Sequence, residues 1–194
     1  MNEPVQNESV KTETKKDEKF RLRTVLSDED AMFLRERSED VTVVVADNSG
    51  NASLLPETRE LIAALRAYVV EHNGLGMAAP QLGVRQRVMV LRKPWNSDKI
   101  VAIINPRILR TTGKSKKAEG CFSIPTPDGV FAEVARPSMI WVDYTSEEGE
   151  FISEELLVGM DARVFQHELD HLDGKLMVDE DLPRGSGFTR WIRA

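Results

Sequence analysis

The sequence predicts an α+β fold in which short, mostly antiparallel strands pack around a central buried helix. Short apolar runs bounded by turn-forming residues recur along the chain, as strands joined by tight connections require. Only two stretches show clear helical spacing, and strands and helices do not alternate regularly, which argues against a doubly wound sheet. One of the two helices is apolar over most of its circumference and so must be largely buried.

The first nineteen residues mix Lys11, Lys15, Lys16 and Lys19 with Glu3, Glu8, Glu13, Asp17 and Glu18 and hold almost nothing apolar. This composition reads as a solvated, disordered tail. It lacks the arginine and serine bias of a transit peptide and the apolar centre of a secretory signal. Residues 20–182 then hold the apolar content of one folded domain, and 183–194 form a short basic tail. With 194 residues, 41% of them hydrophobic, the chain can bury one sizeable core. A net charge of −6 leaves no electrostatic footprint for nucleic acid. No apolar run reaches the ~18 residues that a membrane span needs. The single cysteine permits no internal disulfide and fits a reducing compartment such as the cytoplasm.

In chain order, the spacing predicts a first helix over Pro56–Asn73, with Pro56 in its first turn, Glu57 and Glu60 near its start, and Leu61, Leu65, Tyr68 and Val69 on one face. Asn73-Gly74 stops it, which leaves His72 as a polar surface residue at the negative end of the helix dipole. A glycine- and alanine-rich loop follows, small enough to let backbone approach a substrate closely. Strands are predicted at Arg87–Leu91, Ile100–Ile104, Met139–Tyr144 and around Phe151, with Glu148-Gly149 turning between the last two. The second helix runs from about Val158 to Leu172, with Gly174 near its C-cap. On a wheel, Met160, Val164, His167, Glu168 and His171 share one arc of about 100°. Ala162, Phe165, Leu169 and Leu172 share a second arc, and Arg163, Gln166, Asp170 and Asp173 fill the remaining strip.

That second helix carries the chemistry. His167 and His171 lie four residues apart, about 40° apart around the axis, so both imidazoles can reach one metal ion. Glu168, beside the first, can handle a proton of water in such a site. Two core histidines satisfied by their neighbours would leave Glu168 buried without a reason, at a cost of several kcal/mol. A catalytic site of this type takes three protein ligands. No third histidine follows, and Glu180, the one later glutamate, is too near to stand on another ligand helix, so an upstream ligand is favoured. Cys121, the only cysteine, stands out in the turn-rich segment Glu119–Pro125.

Three segments together carry a family resemblance. Gly74-Leu75-Gly76-Met77-Ala78-Ala79-Pro80-Gln81, Glu119-Gly120-Cys121-Phe122-Ser123 and Gln166-His167-Glu168-Leu169-Asp170-His171 resemble the signature motifs of peptide deformylases, in that family's order and near its spacing. With a weaker match from Val25 to Val41, the resemblance covers about residues 20–182. It implies a metal-dependent hydrolase that removes the formyl group from N-formylmethionyl nascent peptides. It also implies a Cys121, His167 and His171 ligand set, with ferrous iron as the native ion and zinc, nickel or cobalt as further occupants. Glu168 is implied as general base, with the Gln81 amide and the Phe122 N–H stabilising the oxyanion. The substrate site is drawn from Leu75, Gly76, Gly120, Met160 and Val164, with the Leu75 backbone pairing with the peptide. Glu119 is implied to pair with Arg136 and so to fix the loop that carries Cys121.

The chain also departs from the family pattern. Phe122 stands where leucine is usual, the segment between Ile124 and Arg136 is slightly long, and Asp128 occupies a place where some members put a basic residue. Past Asp181, Pro183, Gly185 and Gly187 disfavour a long C-terminal helix, so if such a helix docks relatives on the ribosome, this chain does without it or uses Arg184, Arg190, Trp191 and Arg193 instead. Two other readings share the motifs: an amidase or metallopeptidase acting on another N-acyl group, and a non-catalytic relative of the fold. Intact Glu168, Gln81 and ligands argue against the latter.

Overall fold

The structure, a computed structural model, describes residues 19–45, 52–125 and 132–179. Residues 1–18 and the whole of 183–194 from the expected tails, together with Asp128 and Glu180, lie outside the described residues. In chain order the elements are α1 (Asp28–Phe33), β1 (Val44–Val45), β2 (Ala52–Ser53), α2 (Pro56–Glu71), β3 (Gly76–Ala78), a 3-10 turn (Ala79–Leu82), β4 (Val88–Arg92), β5 (Ile100–Thr112), β6 (Ser115–Glu119), β7 (Ala132–Arg136), β8 (Met139–Thr145), β9 (Phe151–Val158) and α3 (Gly159–Leu172). The class is α+β, as expected. Among the described residues no helix is long and apolar enough to cross a membrane.

A five-stranded antiparallel sheet in the order β3-β4-β5-β8-β9 separates the two long helices. The alternation of β4 shows how. Val88 and Val90 pack with Leu61, Ile62, Leu65 and Val69 of α2 on one face, whereas Met89 and Leu91 pack with Phe165, Leu169 and Leu172 of α3 on the other. β8 alternates in the same way, burying Ile140, Val142 and Tyr144 against α3. Full burial of a side chain such as Phe165 contributes on the order of 2–3 kcal/mol. The β6-β7 hairpin, paired from Ser115↔Arg136 to Glu119↔Ala132, stands apart from this sheet. A third cluster joins its Val134 to Val25, Leu34, Ile124, Leu176 and Met177.

Both long helices end on left-handed residues that satisfy their last carbonyls. In α2 it is Asn73, at φ 49°, that turns the chain, with Gly74 N–H reaching the Val69 carbonyl and Asn73 N–H that of Val70. Gly74 is needed for another reason: a Cβ there would lie 2.8 Å from the Phe122 ring. In α3, Gly174 at φ 72° plays the capping part, and Lys175 N–H reaches the Asp170 carbonyl.

The elements differ from the sequence expectation in several places, the unpredicted strands β1, β2, β6 and β7 among them. The glycine-alanine loop contains β3, whose small residues gave no strand signal but whose edge position lets the backbone approach α3 closely. β5 runs on to Thr112, eight residues past Ile104, through a bulge at Asn105, which sits at φ 51°; its second half is polar because one face meets solvent. α1 is a further short helix, capped by Ser27 and led by Asp28, Glu29 and Asp30.

Candidate metal centre and cleft

Cys121 follows β6 directly, while His167 and His171 lie one turn apart on α3. One donor atom from each of the three lies within 4.8 Å of the others, and Cys121 Sγ is 3.2 Å from His171 Nε2. Burial alone would push the Cys121 thiol up, but the His171 and His167 imidazoles beside it outweigh that and hold it well below its ordinary range. His167 shows the reverse: burial would lower its pKa, and hydrogen bonds to Cys121 and Glu119 raise it well above the usual value. Both shifts share one cause, the close approach of sulfur and imidazole, and donors brought this close are ones that a cation can bridge.

His167 Nδ1 lies 3.0 Å from Glu119 Oε2, so its Nε2 is the nitrogen left for a ligand. Glu119 is itself gripped from two sides. Arg136 donates to it through Nε at 2.7 Å and Nη2 at 2.9 Å, and Arg163 donates through Nη1. Burial would raise the Glu119 carboxyl, yet the bonds from His167 and Arg136 hold it down to about 2. Arg136 also donates to Asp170 at 2.6 Å, while Arg163 reaches the carbonyls of Val134 and Ser115. The sequence reading put Arg163 on a polar strip with Gln166 and Asp170. The structure buries Arg163 and Gln166, because the β6-β7 hairpin covers that face of α3. An arginine four residues before His167, on the same side of the helix as a buried carboxylate's partner, was the one available signal.

Glu168 is buried, and its burial raises the carboxyl to about 7. Its Oε2 finds no hydrogen-bond partner among the described residues, and its Oε1 would touch any Cβ placed on Gly76, at 2.8 Å. Gln81 arrives from the 3-10 turn. Its Oε1 accepts from Ala78 N–H at 2.9 Å, and its Nε2 faces Ser123 Oγ at 3.3 Å and Cys121 Sγ at 3.8 Å.

These groups line a cleft of about 740 Å³, walled on one side by Met160 and Val164 of α3 and on the other by Gly74, Leu75, Gly76, Gly120 and Phe122. The Phe122 ring packs edge-on against Tyr68, with ring centres 5.3 Å apart, and Tyr68 stacks on His72 at 4.0 Å. His72 is exposed, as expected, but it stands at the cleft rather than on a featureless surface. Leu75 turns its carbonyl to Arg92 N–H in β4, at 2.8 Å. By the alternation of an antiparallel ladder, it is then the backbone groups of the next residue, Gly76, and not those of Leu75 as the resemblance implied, that point away from β4 on the open edge of the sheet.

The donor set fits a divalent transition metal: one thiolate and two imidazoles in a buried corner, with a partner already orienting the distal nitrogen of His167. A buried carboxylate oxygen without a hydrogen bond is expensive in an apolar wall, and Glu168 Oε2 lies beside this donor set on the lining of the same cleft.

Comparison with known proteins points the same way. The polypeptide deformylase family model matches residues 22–184. The peptide deformylase of Chlorobium phaeobacteroides is 40% identical over 125 residues, 62% of this chain and 64% of that protein. The chain thus spans a little under two thirds of the length of that relative, and 65% of the corresponding protein of Chlorobaculum parvum. The crystal structure of the peptide deformylase from Thermotoga maritima matches with a TM-score of 0.69 at 33% identity, covering 84% of this chain and 98% of that one. A Met-Ala-Ser-bound peptide deformylase from Acinetobacter baumannii matches with a TM-score of 0.69 at 28% identity, over 84% of this chain and 98% of its own.

Proposed function

The chain belongs to the polypeptide deformylase family, and we propose that it hydrolyses the formamide at the N-terminal methionine of newly made polypeptides, releasing formate and a free amine. The observation that carries this reading is the convergence of Cys121, His167 and His171 beside the unpaired Glu168 Oε2, on a cleft of about 740 Å³. We take ferrous iron as the native ion, with zinc, nickel and cobalt as other occupants that the same donors accept. Such an ion supplies Lewis acidity, which makes water available as a nucleophile near neutral pH.

The chain's own residues do the rest. Glu168 takes the proton of the attacking water on Oε2 and passes it to the leaving amine. Gln81 Nε2 and the Phe122 N–H donate to the formyl oxygen as it gains charge. Gly76 offers its outward N–H and C=O to the peptide main chain, in the manner of an added strand. Leu75, Met160 and Val164 surround the methionine side chain, Gly120 leaves room for the backbone beside Cys121, and Glu119 with Arg136 keeps His167 in its orientation. A nascent chain is met in the cytoplasm near the ribosome, and the binding of Met-Ala-Ser by the Acinetobacter relative supports a peptide of this class.

Formate release from formyl-Met-Ala-Ser, with ferrous or nickel protein, tests the reading. The wild type is expected to turn over, and Glu168→Ala to lose roughly 10²–10⁴-fold in rate while keeping its metal. Bound metal with no formate from the wild type would overturn the reading, and acetylated peptides would then be the next substrates to try.

A further inference from the structure

We propose that Ser123 is a positioning residue for the reaction, acting through the Gln81 carboxamide; the inference rests on the deformylase reading given above. A glutamine amide presents an acceptor at one corner and two donors at the other, and a half turn about its last torsion exchanges them. Two groups decide which way this one faces. Ala78 N–H can only donate, so Oε1 must be the corner that meets it, at 2.9 Å. The other corner, Nε2, lies 3.3 Å from Ser123 Oγ and 3.8 Å from Cys121 Sγ. Ser123 has no exposed surface at all and Gln81 is 2% exposed, so neither atom can exchange this contact for water.

The two hydrogens of Nε2 are fixed in the amide plane. With one on the Ser123 hydroxyl, the second is directed to the Cys121 side, where the carbonyl under attack must lie. Ser123 therefore selects the direction of the donor rather than touching the substrate. It is in turn held by the loop that supplies the sulfur: its carbonyl accepts from Val25 N–H at 2.9 Å, and Ile124 N–H reaches the Cys121 carbonyl at 3.1 Å. The hydroxyl that holds the donor and the metal ligand thus move together, because Ser123 and Cys121 lie two residues apart in one loop. Without the hydroxyl one Nε2 hydrogen has no acceptor, and the amide is free to swing toward the sulfur.

The test combines kinetics with a signal that does not depend on turnover. Ser123→Ala should lower kcat about 10- to 100-fold with KM nearly unchanged, less than the ~10²–10³-fold that loss of a whole oxyanion donor costs. Ser123→Thr, which keeps the hydroxyl, should recover most of it. In a Gln81→Ala background, Ser123→Ala should cost less than about twofold, since a residue acting only through Gln81 has nothing left to position. On zinc-loaded protein, the two Gln81 side-chain amide protons, assigned by their disappearance in Gln81→Glu, should be dispersed and slow to exchange in the wild type and collapse in Ser123→Ala. Equal losses in both backgrounds, or an unchanged Gln81 amide signal in Ser123→Ala, would overturn the proposal. If the wild type releases no formate, the deformylase reading falls, and the amide signal still decides whether Ser123 orients Gln81.

Discussion

One carboxylate, Glu119, ties together the charged groups around His167. It accepts from two buried arginines and orients His167, so each arginine is held by an acid that the other also needs. Arg163→Met, which keeps the apolar stem and removes the charge, should therefore cost about 3 kcal/mol in urea denaturation, at the low end for a broken buried pair because Arg136 still neutralises the acid. It should also weaken metal retention by about 10-fold or more, read as faster transfer of zinc to a chelator. The resemblance led to Glu119 and Arg136, but not to Arg163, since a helical wheel gives a direction and not the neighbour found there. Another buried acid, Asp30 of α1, predicts acid sensitivity. Arg21 grips it at 2.7 and 2.8 Å and Arg23 at 2.5 Å, which holds its carboxyl at about 2 despite burial. A carboxyl depressed by folding stabilises the protein above its unfolded pKa, and that share is lost as pH falls from about 4 through about 2. Asp30→Asn should be less stable than the wild type by about 1–2 kcal/mol at pH 7, a figure reduced for the solvent-exposed Arg21. Urea melts should show that gap closing toward pH 2, and a gap that persists there would assign the effect to packing instead.

At the scale of elements, β3 and α3 approach so closely that a single hydrogen is all the side chain the contact allows. A Cβ on Gly76 would meet Glu168 Oε1 at 2.8 Å and Leu91 Cδ2 at 3.0 Å. The flexible carboxylate can yield more easily than the packed sheet, so Gly76→Ala should displace Glu168 and lower kcat by about 10²-fold, with a change in melting temperature of only a few degrees. Gly174 shows the opposite balance. Its φ of 72° and the Arg35 carbonyl, 2.5 Å from a would-be Cβ, make Gly174→Ala costly to stability, by about 1–3 kcal/mol, while the metal donors lie farther back on α3. Both helices were legible from spacing and capping residues alone, to within two residues at each end. β3 and β6 were not, for different reasons. Gly76-Met77-Ala78 has no branched or aromatic residue to announce a strand, and Ser115–Glu119 is charged because it lies in a two-stranded hairpin with one face in solvent.

At the scale of the whole molecule, the candidate site is the place where three separately built parts meet. α3 packs on the main sheet, the β6-β7 hairpin covers the opposite side of α3, and the loop leaving β6 carries Cys121 back to His171, fifty residues later in the chain. Spacing could place the two histidines on one helix face, but nothing local to Cys121 says which face of which helix it will meet; only the motifs taken together did. In this arrangement a bound metal would fasten together parts that otherwise meet through buried ion pairs and the hydrogen bonds of Arg163 and Gln166 to backbone carbonyls. Removing it should then loosen the hairpin and the Cys121 loop more than the sheet. Zinc at about 100-fold over its Kd should raise stability by about 2.7 kcal/mol relative to chelated protein, or roughly 5–10 °C in Tm. Cys121→Ser and His171→Ala should show less than half that shift. Hydrogen exchange should locate the gain: slower in Glu119–Ile124 and α3 on adding zinc, and unchanged in α2, which packs in the other cluster. A uniform slowing across the sheet would mean that the ion stabilises the fold as one unit rather than fastening the hairpin to α3.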